Sequence, residues 1–177
     1  MEREERAATR YEYAAATVPG LLQTEEYARE QLRTDRRKTE AQLERAVDLR
    51  MSRQEFLRGE PPPTYRVILD EAVLRRPMKD VEAWNRQLAH IVEVAELPNV
   101  TIQVLPFDVG IQHVLGGSLT ILWEKDGSSV AYLESAAHGH LVTDPLEAEH
   151  FRLSYDQLRD VVLSPQESLE FIRSLMK

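Results

Sequence analysis

Apolar residues along the chain change their spacing from a helical period to an alternating one and back, and those changes divide it into elements. Leu43, Ala46, Val47, Met51 and Leu57 fall near one face at 3.6 residues per turn, which predicts a helix from Thr39 to Gly59. Thr39 and Gln42 have the spacing of a capping box, and Gly59 ends the run. A shorter helix, Thr24 to about Leu32, precedes it and is entered through Val18-Pro19-Gly20-Leu21-Leu22-Gln23. There Pro19 fixes φ, Gly20 accepts a positive φ, and Thr24 caps a first turn carrying Glu25 and Glu26. Residues 1–13 are rich in Glu and Arg without a cap or turn signal, so they read as a helix continued from upstream.

Pro61-Pro62-Pro63 is a stiff linker, because three prolines neither continue a helix nor donate to a ladder. Beyond it the period shortens to two: Tyr65, Val67 and Leu69 alternate with Arg66, Ile68 and Asp70 in a strand that enters a helical turn at Asp70. Val81, Trp84, Leu88, Ile91, Val92 and Ala95 return to the helical period over residues 79–96, and Leu97-Pro98-Asn99 stops them. A second strand, Val100 to Leu105, follows at once, and strand, helix and strand in this order suit a parallel crossover. Ser118–Glu124 and Ser129–Glu134 flank an Asp126-Gly127 step, the mark of a hairpin. Asp144-Pro145-Leu146-Glu147 and Ser164-Pro165-Gln166-Glu167 each supply a cap, a proline at the first helical position and a glutamate at the third. The expected fold is α+β: a mixed sheet of about four strands with N-terminal helices, one crossover helix and two C-terminal helices.

Composition narrows the function classes. At 177 residues with 42% hydrophobic content, one domain with its own core is expected over residues 1–177. The absence of cysteine excludes disulfides, thiolate catalysis and cysteine metal sites. No apolar run approaches the roughly 20 residues of a membrane span, and the charged start lacks a signal-peptide core, so a cytoplasmic protein is expected. The net charge of -8 is unevenly placed: residues 1–58 hold 12 acids and 12 bases, and the remainder holds 18 acids against 10 bases. An acidic body repels duplex phosphate, so DNA contact is expected only through an attached module. The basic run Arg33-Thr34-Asp35-Arg36-Arg37-Lys38 reads as a solvated inter-helix loop.

Several segments carry a family resemblance in order: Val18-Pro19-Gly20-Leu21-Leu22-Gln23-Thr24-Glu25-Glu26-Tyr27-Ala28-Arg29, Arg50-Met51-Ser52-Arg53-Gln54, and Val67 through Pro77. They continue with Leu97 through Phe107, Gly116-Gly117-Ser118-Leu119 and Val130-Ala131-Tyr132-Leu133-Glu134. Together they resemble the C-terminal domain of unknown function in WhiJ-like regulators of actinobacteria, in which an Xre-type helix-turn-helix precedes that domain. The resemblance implies that this chain starts just after a DNA-binding module, as the remainder of a longer regulator or a stand-alone relative. It also implies an antitoxin-like setting, with a small protein of another family encoded nearby as a candidate partner. It supplies no catalytic residue.

The candidate binding residues come from several elements. Gln23 is the uncharged amide beside the entry turn, and Tyr27 with Leu21 and Leu22 docks the entering chain. Arg50 and Gln54 lie on the apolar face of the long helix, where their stems cover apolar surface or their heads line a polar pocket. Arg75 and Arg76 stand beside a sheet end, where a guanidinium can hold a carboxylate or phosphate, although Arg75 paired to Glu71 is simpler. Gly116-Gly117 lacks both the Gly-x-Ser-x-Gly elbow and a phosphate-loop lysine; it reads as a flexible strand entry where backbone approaches a ligand.

Asp70, Glu71, Glu134 and His113 form the rival reading, a hydrolase built on carboxylates at the sheet ends. The simpler account has Asp70 as a cap and Glu71 as the partner of Arg75. His138-Gly139-His140 places two imidazoles on one side of an extended segment, with His113 or His150 nearby, but lacks the spacing of a zinc site; no metal and no cofactor are expected. In the loop from Phe107, Val109, Ile111, Val114 and Leu115 are apolar, so it caps the core, closes over a pocket or meets a partner. The expected role is a sensor or partner-binding module, not an enzyme, that couples a small molecule or small protein to an attached helix-turn-helix. A homodimerisation module is the third reading.

Overall fold

The computed structural model describes residues 7–114, 116–134 and 139–177. In chain order these form β1 (Ala7–Ala14), α1 (Glu25–Arg33), α2 (Glu40–Ser52), β2 (Thr64–Asp70), α3 (Glu71–Arg75) and α4 (Val81–Val94). There follow β3 (Val100–Leu105), β4 (Ser118–Glu124), β5 (Ser129–Glu134), β6 (Gly139–Val142), α5 (Pro145–Arg159) and α6 (Pro165–Ser174). Short 3-10 turns cover Gly20–Leu22, Arg53–Arg58 and Phe107–Val109. The class is α+β with a mixed sheet, as the sequence predicts, but the sheet has six strands, in the order β3-β2-β1-β4-β5-β6. The first three are mutually parallel; β1 pairs antiparallel with β4, and β4, β5 and β6 continue antiparallel.

The two added strands correct the four-strand expectation. Residues 7–14 are β1, not a helix: Thr9-Arg10-Tyr11-Glu12-Tyr13 alternates, and its central position in the sheet outweighs the helical preference of Glu and Arg. Because β1 and β2 are parallel neighbours, α1 and α2 form a second crossover besides that of α3 and α4. β6 is only four residues long and ends the sheet.

Caps set the helix starts as the sequence indicates. Thr24 accepts from the Tyr27 N–H at 3.2 Å, and Thr39–Gln42 and Ser164–Glu167 close full capping boxes. Asp80 and Asp144 cap α4 and α5 through their carboxylates. Gln87, fully buried on α4, donates to the Leu22 carbonyl at 2.6 Å and accepts the Thr24 N–H at 2.8 Å, which ties the entry turn to that helix.

Two apolar layers result. On one face Tyr65, Val67 and Leu69 of β2 and Ile102 and Val104 of β3 pack under α4 and Ile172 of α6. On the other, Tyr13, Ile68, Leu119, Ile121, Ala131 and Val142 pack under Ala148, Tyr155 and Leu158 of α5. The outer edge of β3 is closed by the link between α5 and α6: the Leu163 N–H donates to the Val104 carbonyl at 3.0 Å, and the buried Ser168 hydroxyl accepts the Val104 N–H at 2.9 Å. No helix among the described residues is long and apolar enough to cross a membrane.

Candidate functional site

Helices on the face opposite α5 cover β3, β2 and part of β1, and the rest of that face is the floor of a cleft of about 1530 Å³. The two-residue period decides which side chains reach it: Arg10 and Glu12 of β1, Thr120 and Leu122 of β4, Tyr132 and Glu134 of β5. One wall consists of Gly20, Gln23, Arg50, Phe56 and the prolines 61–63. The triple proline thus borders the cleft, where its lack of N–H groups costs no ladder bond.

Arg50 stands at the junction of wall and floor. It donates to Gln23 Oε1 at 2.9 Å and makes no other hydrogen bond or ion pair among the described residues. Gln23 is itself buried and oriented, since its Nε2 donates to the Val18 carbonyl at 2.7 Å and to Gln31 Oε1 at 2.8 Å. Gln54 holds the turn from behind, donating to the carbonyls of Gly20 at 3.1 Å and Gln23 at 2.6 Å. Gly20 does not have a positive φ; the positive-φ residues among those described are Gly110 and Gly127. What requires glycine there is proximity, since a Cβ would lie 2.9 Å from Arg50 Cδ. Burial and then Arg53 pull the Arg50 guanidinium below its ordinary pKa, while Glu134 and Glu12 oppose that shift; the group stays cationic at neutral pH.

Glu12 marks the border between the covered and open halves. Its carboxylate is buried, accepts from the Tyr65 hydroxyl at 3.0 Å on the covered side and pairs with Arg10 Nε at 3.0 Å. Burial first, and then the Glu12 charge, push the Tyr65 phenol well above its ordinary pKa, so the hydroxyl stays a donor. At the far end a Cβ on Gly117 would lie 2.8 Å from the Glu134 carbonyl oxygen, so the Gly-Gly entry to β4 allows close backbone contact.

Of the residues singled out from sequence, the cleft brings together Gln23, Arg50, Gly116, Gly117 and Glu134. The others lie elsewhere. Tyr27 accepts the Val18 N–H at 3.1 Å and packs on Trp84; Gln54 clips the entry turn. Asp70 caps α3 through the Ala72 N–H at 2.8 Å and accepts from the Tyr13 hydroxyl at 3.0 Å. Glu71 is buried, pairs with Arg75 at 2.9 Å and accepts the Phe107 N–H at 2.8 Å. Arg75 lies over the Phe171 ring, Arg76 is exposed, and exposed His113 stands edge-on to His150 at 6.4 Å. Asp70 at the end of β2, with Glu71 next to it at the start of α3, is separated from Glu134 on β5 by three strand steps, about 14 Å. His138 and Leu115 lie outside the described residues, and His140 is exposed on β6. In the loop from Phe107, Val109 and Val114 pack on the α5-side layer, whereas Phe107 and Ile111 are exposed. In the basic run Asp35 pairs with Arg37 and Lys38, and Arg33 pairs with Glu40.

Arg10, Glu12, Thr120 and Tyr132 are cleft residues that sequence reasoning missed. The signal was the alternation Arg10-Tyr11-Glu12-Tyr13, which puts two charges on one face of a strand and two aromatics on the other. A protein-family model described as "Domain of unknown function (DUF5753)" matches residues 1–174, so it takes in every element of the cleft. No curated protein matches the chain significantly.

Proposed function

The chain belongs to the DUF5753 family, and from that premise we propose that it is the sensing domain of a cytoplasmic transcription regulator of the WhiJ-like kind. A small molecule or small partner protein occupies the cleft, and its binding changes the DNA affinity or dimer geometry of an Xre-type helix-turn-helix attached upstream. The observation that carries the reading is the cleft itself: about 1530 Å³ over an uncovered half-sheet, with a half-buried guanidinium whose remaining donors have no protein partner among the described residues. The charge distribution supports the division of labour, because the acidic body is a poor surface for duplex phosphate.

Two measurements test this reading. The reading frame immediately upstream in the natural gene is expected to encode a helix-turn-helix. In the intact regulator, Thr120→Trp places a large ring on the cleft floor at a half-buried position and is expected to abolish the response of the regulated promoter while the domain stays folded. A promoter response unchanged by that substitution overturns the proposal.

A further inference from the structure

We propose that the Arg50 end of the cleft binds the carboxylate of a small monoanionic molecule whose apolar or aromatic body lies along Tyr132 and Leu141. The inference rests on the cleft being the binding site and adds the chemical class of what enters it.

The anion end is pre-organised. A guanidinium carries five donors in a planar fork, and Arg50 uses one of its nitrogens for a hydrogen bond to Gln23 Oε1. Gln23 cannot turn away, because both bonds from its Nε2 are taken within its own segment and α1. The Arg50 stem is held against Gly20. The side chain therefore presents its free edge to the cleft in a fixed orientation, which lowers the entropic cost of pairing with a second planar group. A solvated surface arginine has no such restraint.

The floor calls for an apolar body. Tyr132 and Leu141, opposite one another on β5 and β6, are 38% and 50% exposed within the cleft, whereas Leu122 is already buried with Val130 beneath Phe56. Tyr132 owes its position to Gly139, since any Cβ there would collide with its phenol oxygen. That exposed apolar strip gains from being covered by a ligand.

The charge balance calls for one negative charge rather than two. The lining holds four cations, Arg10, Arg50, Arg53 and Lys125, against three carboxylates, Glu12, Glu60 and Glu134, so one added negative charge balances it. Arg10 is paired with Glu12, and Glu134, near Arg50, makes no side-chain hydrogen bond among the described residues. A carboxylate satisfies Arg50 with a single charge, whereas a phosphate dianion meets added repulsion from Glu12 and Glu134. Glu134 is then a brake on anion affinity, and neutralising it tightens binding.

The test is calorimetry on the full chain with phenylacetate, indole-3-acetate and octanoate as probes, beside their primary amides, phenyl phosphate, and a short apolar peptide ending in a free carboxylate. The acids are expected to bind and the amides to bind at least about tenfold more weakly, the loss of one charge-assisted hydrogen bond. Arg50→Gln is expected to bring the acids down to the level of the amides, Arg50→Lys to recover part of the affinity, and Glu134→Gln to strengthen acid binding. Urea denaturation of Arg50→Gln establishes that the variant is folded. Acids and amides binding equally, or Arg50→Gln binding acids as tightly as the unmodified chain, overturns the carboxylate proposal. If Thr120→Trp abolishes both acids and amides in that case, the cleft reading survives it. Acid binding that survives Thr120→Trp overturns both. Binding of phenyl phosphate or of the peptide without binding of the small acids overturns the ligand class alone.

Discussion

The two halves of the sheet are made of similar residues and do different work. In the parallel half, β3-β2-β1, helices lie on both faces, and Val67, Ile68 and Leu69 are buried in succession. In the antiparallel half, β4-β5-β6, α5 covers one face and the other is the cleft floor, so Leu119 and Ile121 are buried while Thr120 between them is half-open. Parallel neighbours need long crossovers, and those crossovers are helices that cover the sheet; antiparallel neighbours need only short turns, which leave a face free. The open face is thus a consequence of connection length.

If that division is right, truncation on the two sides has unlike effects. Ile68→Ala, in the fully buried part of β2, is expected to lower unfolding free energy by about 2–5 kcal/mol, read from urea denaturation. Tyr132→Ala, on the cleft floor, is expected to stay within about 0.5 kcal/mol. Equal losses at the two positions break the comparison. Gly117→Ala probes a place where the open half is tight against backbone: a Cβ 2.8 Å from the Glu134 carbonyl is expected to cost about 1–3 kcal/mol, whereas Gly116→Ala, with open space around it, costs less. Equal stabilities for the two alanine variants remove the close approach as the reason for glycine.

At the border, Tyr65→Phe removes the hydroxyl that donates to Glu12 and leaves a buried carboxylate with one partner fewer. A loss of about 1–3 kcal/mol is expected, and a Phe variant as stable as the parent shows that the border bond is not needed. The smallest effect concerns His90 on α4, whose Nε2 is buried without a partner among the described residues. Burial lowers its pKa below the ordinary 6.5, with Arg58 adding to the shift and Glu93 opposing it. The unfolded chain then binds the extra proton more readily, so this contribution to stability is intact above the ordinary value and falls as the pH drops below it. Urea midpoints across mildly acidic pH are expected to decline less steeply for His90→Gln; an unchanged slope removes His90 as the cause.

Local chemistry made much of the fold readable. Caps at Thr24, Thr39, Asp144 and Ser164 and the turn at Asp126-Gly127 depend on neighbours within a few residues, so they could be placed from the order of residues alone. The Glu71–Arg75 pair and the Asp70 cap were legible for the same reason. β1 was not, because its strand conformation comes from partners distant in the chain, Thr64–Leu69 on one side and Leu119–Glu124 on the other, and its own Glu and Arg favour a helix. β6 is too short to show a period.

The site divides along the same line. Gln23 and Arg50 were visible as polar residues at apolar positions, yet the 2.9 Å bond that joins them spans 27 residues, and Glu134 reaches the same cleft from the far end of the sheet. The chain by itself determined an acidic, cysteine-free α+β domain, its helix ends and its hairpin, because composition and short-range hydrogen bonding are properties of consecutive residues. The tertiary structure alone decided that β1 lies at the centre, that half of one face stays uncovered, and that Arg50 opens onto it, because strand pairing between distant segments sets which side chains share a face.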